Sequence, residues 1–155
     1  MKFNDLKEII TFAIEKEVEA ARFYEEVSAL ASMSGSREML LEFAQQERRH
    51  EALLREFLDK GVTQSLGDYK FKWITDIKRS DYSVDLVYSK DMGYSDLLML
   101  AAKREEKALA LYNELLKQAE APVAKDLFKV LCQEEAKHKL FLETKYDDYM
   151  AKMGD

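Results

Sequence analysis

Four stretches of the chain place apolar residues at alternating steps of three and four, the spacing that lines one face of an α-helix. In the first stretch this face carries Ile10, Ala13, Ala20, Tyr24, Val27 and Ala31. The spacing predicts helices over about 5–31, about 36–60, about 95–119 and about 122–150.

Local signals mark the ends of these helices. Asn4 or Asp5 can cap the first helix, and Ser36 can cap the second. Gly61 suits the end of the second helix, and Pro122 suits the first turn of the fourth. Short turns therefore join the first helix to the second and the third to the fourth, so each pair is expected to form an antiparallel hairpin.

Between about 61 and 94 the helical spacing fades, and Gly, Asp, Ser and scattered aromatic residues replace it. Helices of roughly 25 residues span about 40 Å, and a connector of this length can cover that distance. The sequence therefore predicts one all-α domain over residues 1–155. We expect a four-helix bundle of two antiparallel hairpins, with a long crossover that lets the second and third helices run parallel.

The two predicted hairpins resemble each other. Adding 88 to a residue number in the first hairpin reaches its counterpart in the second, without a gap. The offset relates Ala13 to Ala101, Ala20 to Ala108, Tyr24 to Tyr112 and Leu54 to Leu142. Such an internal repeat implies a pseudo-twofold axis that brings equivalent positions together in the middle of one bundle.

Six polar residues interrupt the apolar faces at matching depths: Glu17, Glu47, His50, Glu105, Glu135 and His138. Burying four carboxylates close together is strongly unfavourable unless their charge is balanced, and two divalent metal ions would balance it. One glutamate from each of two helices, plus Glu-x-x-His from each of the other two, is the ligand set of di-iron and di-manganese bundles. Mixed oxygen and nitrogen donors suit iron or manganese better than calcium or a thiolate zinc site.

A plainer interpretation is that the glutamates are solvated helix residues and the histidines are ordinary, partly buried imidazoles. For either Glu-x-x-His alone that interpretation is preferable, because glutamate is abundant in helices. The repeat favours the metal site instead. The chain has two histidines, and both follow a glutamate by three residues on an apolar face.

Composition restricts the class of protein. The chain has 155 residues, a net charge of -6 and a sequence pI near 5.1. A negative surface argues against nucleic acid or an anionic membrane as a partner. Cys132 is the single cysteine, so no internal disulfide can form, and a reducing compartment is expected. Without a continuous apolar segment near the N-terminus or of membrane-spanning length, the sequence favours a cytoplasmic protein.

The segments AIEKEVEAARFY with FAQQERRH, and AAKREEKALALY with LCQEEAKH, resemble the paired helix motifs of the rubrerythrin branch of the ferritin-like superfamily. This resemblance implies a ferritin-like bundle in which two iron ions are held by a set of six ligands. Those ligands would be Glu17, Glu47, His50, Glu105, Glu135 and His138. The resemblance makes Glu47 and Glu135 the bridging carboxylates, and gives each metal one histidine. Manganese is an alternative metal.

Two departures from that family matter for function. Rubrerythrins usually carry another glutamate in the third helix, three residues after the first, where this chain has Ala108. They also usually add a rubredoxin module with paired Cys-x-x-Cys motifs, which this sequence lacks. Electrons are therefore expected from a separate protein of the rubredoxin type.

Three further features have two interpretations each. Tyr24 and Tyr112 either pack in the core or hydrogen-bond metal-bound carboxylates on neighbouring helices. Cys132 is more consistent with a small buried side chain than with a reactive thiol. Segment 69–79 interleaves basic and aromatic residues, and packing on the bundle or on a second subunit fits the acidic chain better than nucleic-acid binding does.

The leading functional hypothesis is a di-iron oxidoreductase that reduces peroxide or dioxygen and forms a homodimer. An alternative is iron handling, with ferroxidase activity that feeds a store inside a multi-subunit shell. A third possibility is a metal-free bundle that serves as a structural or interaction module with partly protonated glutamates.

Overall fold

The computed structural model describes residues 6–61, 92–120 and 122–153. These residues form four α-helices, α1 (Leu6–Ser28), α2 (Arg37–Glu56), α3 (Tyr94–Gln118) and α4 (Pro122–Met153), and no β-strand occurs among them. The prediction of an all-α protein with four helices is confirmed. The predicted caps Asn4 and Asp5, nearly all of the predicted crossover and segment 69–79 lie outside the described residues.

The first hairpin turns through a short 3-10 helix, Ala31–Ser36, which follows Leu30 in an extended conformation. The side chain of Met33 is buried in this turn, and Arg37 Nε donates a hydrogen bond to the Ser28 carbonyl at 3.0 Å. Ser36 occupies the N-cap position of α2, but its side chain makes no capping hydrogen bond within the described chain. The turn is therefore held by the buried methionine and the arginine rather than by the predicted cap.

Local features of the sequence and backbone mark the other helix ends. After Glu56, α2 continues as a π-helical turn, Phe57–Gly61, that ends at the predicted glycine. α3 ends where the Ala119 amide donates to the Leu115 carbonyl at 2.9 Å. Pro122 is the first residue of α4, where a missing amide hydrogen removes no helical hydrogen bond.

Apolar side chains form one layer of the core at the end of the bundle where α1 and α4 begin and α2 and α3 end. Ile9, Leu54, Leu115 and Phe128 are fully buried in this layer. The rings of Phe57 and Phe128 meet edge to face, with their centroids 5.8 Å apart. We call this group the first apolar layer.

A second apolar layer lies where α1 and α4 end and α2 and α3 begin. It includes the buried side chains of Val27, Leu40, Leu98 and Leu142. Since α2 and α3 both begin in the second layer and end in the first, they run in the same direction. The six polar positions fall between the two layers along each helix.

No helix in the described parts of the chain combines the length and apolar character needed to cross a membrane.

Candidate metal centre

The six polar residues come together in the middle of the bundle, and each is at most 2% exposed. α1 and α3 contribute one glutamate each, while α2 and α4 each contribute a glutamate and a histidine. The members are Glu17, Glu47, His50, Glu105, Glu135 and His138. Helical geometry explains the Glu-x-x-His pairs, because residues three apart lie on one face.

The six residues divide into two overlapping groups of four, and within each group the candidate ligand atoms lie within 4.8 Å of one another. The first group contains Glu17 and His50, and the second contains Glu105 and His138. Both groups contain Glu47 and Glu135, the two residues predicted to bridge. The arrangement can accommodate two metal ions that share two carboxylates.

Each imidazole directs Nδ1 toward the carboxylates. His50 Nδ1 lies 2.9 Å from Glu135 Oε1, and His138 Nδ1 lies 3.1 Å from Glu47 Oε1. These are ion-pair distances, yet neither Nδ1 atom has a hydrogen-bond partner among the described residues. The two nitrogens therefore face the cluster, one in each group of four residues.

The outward nitrogens are hydrogen-bonded by residues that the sequence analysis missed. His50 Nε2 lies 2.5 Å from Glu134 Oε1, and His138 Nε2 is hydrogen-bonded to Gln46 Oε1. A partner of this kind orients a metal-binding imidazole and sets which nitrogen carries the hydrogen. The offset of 88 relates Gln46 to Glu134, so the repeat held a signal that could have found them.

Tyr24 and Tyr112 also connect the two hairpins. Tyr24 donates a hydrogen bond to Glu105 Oε1, and Tyr112 donates to Glu17 Oε1 at 2.5 Å. Both tyrosines are almost fully buried. Each hydroxyl therefore fixes one oxygen of a carboxylate on another helix and leaves the second oxygen directed toward the cluster.

Electrostatics in the metal-free cluster favour protonation of the two shared carboxyl groups. Burial raises the pKa of Glu47 well above its ordinary value, and the charges of Glu17 and Glu105 raise it further. Burial, together with the charges of the other glutamates, also raises the pKa of Glu135 well above its ordinary value. Without cations, these two shared carboxyl groups are expected to bind protons at neutral pH.

The pKa values of His50 and Glu105, in contrast, shift in the directions that favour their charged forms. Burial lowers the pKa of His50, but its contacts with Glu135 and Glu17 outweigh burial and raise it to about 11. Burial raises the pKa of Glu105, yet contacts with Glu135, His138 and Tyr24 outweigh burial and lower it. These pKa shifts favour a charged His50 imidazole and an ionised Glu105 carboxylate in the metal-free site.

Unpartnered polar atoms provide the test of whether metal ions fit. Seven buried side-chain atoms lack a hydrogen-bond partner in the described parts of the chain, and six belong to the cluster, one from each residue. They are Glu17 Oε2, Glu47 Oε1, His50 Nδ1, Glu105 Oε2, Glu135 Oε1 and His138 Nδ1. Buried polar atoms without partners are rare in proteins. Oxygen and nitrogen donors converging in this way fit two iron or manganese ions.

A cavity of about 70 Å³ reaches the cluster between α1 and α3. Its lining includes Glu17, Glu105 and Ala108, with Lys16 and Arg104 also contributing. Ala108 occupies the position where rubrerythrins usually have another glutamate, so its small side chain leaves space beside the candidate ligands. A volume of this size holds a few water-sized molecules.

Cys132 lies outside the cluster. It is buried, and its thiol donates a hydrogen bond to Asn113 Oδ1 at 3.3 Å. Burial raises the pKa of the Cys132 thiol to about 11, which disfavours the reactive thiolate. This environment agrees with a packing role.

Comparison with known proteins identifies a matching family and a similar fold. The rubrerythrin family model matches residues 8–146. The fold is similar to the crystal structure of a Thermotoga maritima protein that is described as ferritin-like and diiron-carboxylate, with a TM-score of 0.74 and 23% sequence identity. The similarity covers 96% of this chain and 99% of that one, and it confirms the predicted ferritin-like fold. No curated protein sequence matches the chain.

Proposed function

Because the chain belongs to the rubrerythrin family, we propose that its buried cluster holds two iron ions and that the protein reduces hydrogen peroxide or dioxygen. The observation that carries this proposal is the set of six unpartnered ligand atoms, divided into two groups that share two carboxylates. The similar Thermotoga protein, described as a diiron-carboxylate protein, supports iron as the metal.

Each residue of the cluster has a distinct part in holding the ions. Glu17 and His50 would bind one ion, and Glu105 and His138 would bind the other. Glu47 and Glu135 would bridge them, as their membership of both groups supports. Manganese accepts the same donors, so the ligand set by itself allows either metal.

When bound, two adjacent ferrous ions supply the two electrons that cleavage of an O–O bond requires. The chain's own residues prepare the site for that chemistry. Tyr24 and Tyr112 hold terminal carboxylates in place, and the cavity beside Ala108 gives a small oxidant access from the α1–α3 side. Reduction of one peroxide molecule to two water molecules also takes up two protons, which a bridging carboxylate, Glu47 or Glu135, is suited to relay.

We also propose that a separate protein of the rubredoxin type returns the two electrons after each turnover. The chain itself carries one cysteine, which is buried on α4 away from the cluster. It therefore cannot supply the four thiolates of such an iron site.

The test is anaerobic loading with ferrous iron, followed by addition of hydrogen peroxide. We expect about two iron ions per chain, in line with the ligand set of this bundle class, and a ferric absorption that develops with one peroxide consumed per two irons. Failure to bind iron, or bound iron that peroxide leaves ferrous, would overturn the proposal. Accumulation of ferric iron far beyond two per chain under dioxygen would favour iron storage instead.

A matched pair of variants on α3 controls for general effects of charge. Glu105→Gln removes a candidate ligand and is expected to lower iron binding and the ferric signal. Glu106→Gln removes the same charge from the next residue, which is exposed, and is expected to leave both unchanged. Equal behaviour of the two variants would argue against the assigned ligand.

A further inference from the structure

The two halves of the cluster differ in the residues that hydrogen-bond their histidines. The offset of 88 relates every candidate ligand, and both tyrosines, to an identical residue in the other hairpin. Gln46 and Glu134 occupy equivalent positions as well, but one is a neutral amide and the other a carboxylate. They are the hydrogen-bond partners of the two outward imidazole nitrogens, so the asymmetry acts directly on His138 and His50.

A carboxylate acceptor changes an imidazole ligand more than an amide does. A hydrogen bond to an ionised group is roughly twice as strong as one between neutral groups. It also moves electron density onto the ring and makes the opposite nitrogen a better metal ligand. His50, which hydrogen-bonds Glu134 at 2.5 Å, should therefore bind a cation more tightly than His138, which hydrogen-bonds Gln46.

The surroundings of Glu134 and Gln46 preserve this difference between the two histidines. Glu134 has a quarter of its side chain exposed, and its ion pair in the described parts of the chain is with His50. Gln46 donates a long hydrogen bond of 3.4 Å to Glu42, an exposed carboxylate on the same helix. On the His138 side, Gln46 thus stands between the ring and the carboxylate of Glu42, which water screens because it is exposed.

We propose that the two metal positions are inequivalent, and that the position formed by Glu17 and His50 binds its ion first because Glu134 is the hydrogen-bond partner of His50. Glu134 is a positioning residue in this proposal, since it acts through the imidazole. The inference rests on the two-metal centre proposed above and adds which half has the higher affinity.

The chain's two histidines allow a direct test, because each belongs to one metal position. The metal-free protein, labelled with ¹⁵N in its imidazoles, is titrated with Zn²⁺, which has no redox chemistry and no d-electron preference for geometry. We expect the His50 signals to change during the first equivalent and the His138 signals during the second. A His138→Gln variant assigns the resonances.

The outcomes separate this inference from the proposed function. If both imidazoles change in parallel, or His138 changes first, the inference is wrong while the two-metal centre stands. If neither imidazole changes at excess Zn²⁺, the two-metal centre itself is wrong, and the inference fails with it.

Exchanging Gln46 and Glu134 tests whether Glu134 sets the order in which the two positions bind metal. The double variant Gln46→Glu with Glu134→Gln keeps the composition and net charge of the chain and is expected to reverse the order, so that His138 responds first. Glu134→Gln alone is expected to weaken the first binding step by about 10-fold, the lower end of the usual effect of such partners. An exchanged protein in which His50 still responds first would overturn the assignment to Glu134.

Discussion

Tyr24 and Tyr112 show how single residues couple helices that are not neighbours in sequence. Each sits on one hairpin and donates a hydrogen bond to a glutamate of the other. A buried carboxylate oxygen that loses such a donor remains desolvated without compensation, which is unfavourable by about 1–3 kcal/mol. The hydroxyls therefore matter both for the fold and for the orientation of the candidate ligands.

Replacing each tyrosine by phenylalanine tests this role. Tyr24→Phe frees Glu105, and Tyr112→Phe frees Glu17, so we expect each variant to bind metal about 10-fold more weakly. Calorimetric titration of the metal-free protein with Mn²⁺ measures the affinity. Tyr146→Phe, on a half-buried residue packed on the second apolar layer, is the control. Unchanged affinity in the first two variants would leave packing as their role.

At the scale of helices, α1 and α3 place small residues along a shared cavity. Ala13, Ala20 and Ala108 line the cavity between them. Ala13 and Ala20 lie two turns apart on α1, and the repeat relates Ala20 to Ala108. Larger side chains at these positions would fill the space that leads to the cluster. These small residues therefore leave space beside the cluster, whose six residues come from all four helices.

Ala108→Leu is expected to fill that cavity. Peroxide should then oxidise the ferrous protein more slowly, although the protein still binds two ions, because the ligand atoms are unchanged. Stopped-flow absorption after anaerobic loading measures the rate. Ala102→Leu places the same side chain on α3 at a half-buried position away from the cavity, and its rate should stay close to that of the unmodified protein. Equal rates in all three proteins would exclude this route of access.

For the whole molecule, the two apolar layers stabilise the ends of the bundle while the middle depends on charge balance. Without metal, protons on Glu47, Glu135 and His50 are expected to provide that balance, because the pKa of each is raised. With metal, cations would replace those protons, so metal binding and proton release are linked. Stability should therefore respond to pH in opposite directions with and without metal.

The metal-free protein should lose stability as pH rises. The pKa of His50 is raised from 6.5 to about 11, so its contribution is fully present below pH 6.5 and is lost as pH rises toward 11. The raised pKa values of Glu47 and Glu135 act in the same direction from 4.5 upward. Each group contributes at most about 1.4 kcal/mol per pH unit. Melting curves with a chelator, monitored by circular dichroism, measure the trend.

Saturating Mn²⁺ should reverse that trend, because protons compete less with the metal as pH rises. His50→Gln provides the comparison, since it removes one of the titrating groups and should flatten the decline of the metal-free protein above pH 6.5. A metal-free protein whose melting temperature rises over this range would contradict the charge balance described here.

The sequence by itself determined the four helices and the depth of the six polar residues. Helical spacing is a local property, and the offset of 88 aligns the two hairpins without knowledge of their packing. The assignment of Glu47 and Glu135 as bridging residues came from family resemblance, and their place in both ligand groups agrees with it. Their binding of metal stays a prediction.

Only the tertiary structure decided which side chains meet across the bundle. The pairs Glu134 with His50 and Gln46 with His138 join α2 to α4, and their members are 84 and 92 residues apart in sequence. Their contact depends on the axial register and rotation of packed helices, which arise from side-chain packing over the whole core. The same packing left space beside Ala108 and turned Nδ1 of each histidine inward. A one-dimensional pattern places a residue on a face, whereas the partner of that residue is a property of the assembled bundle.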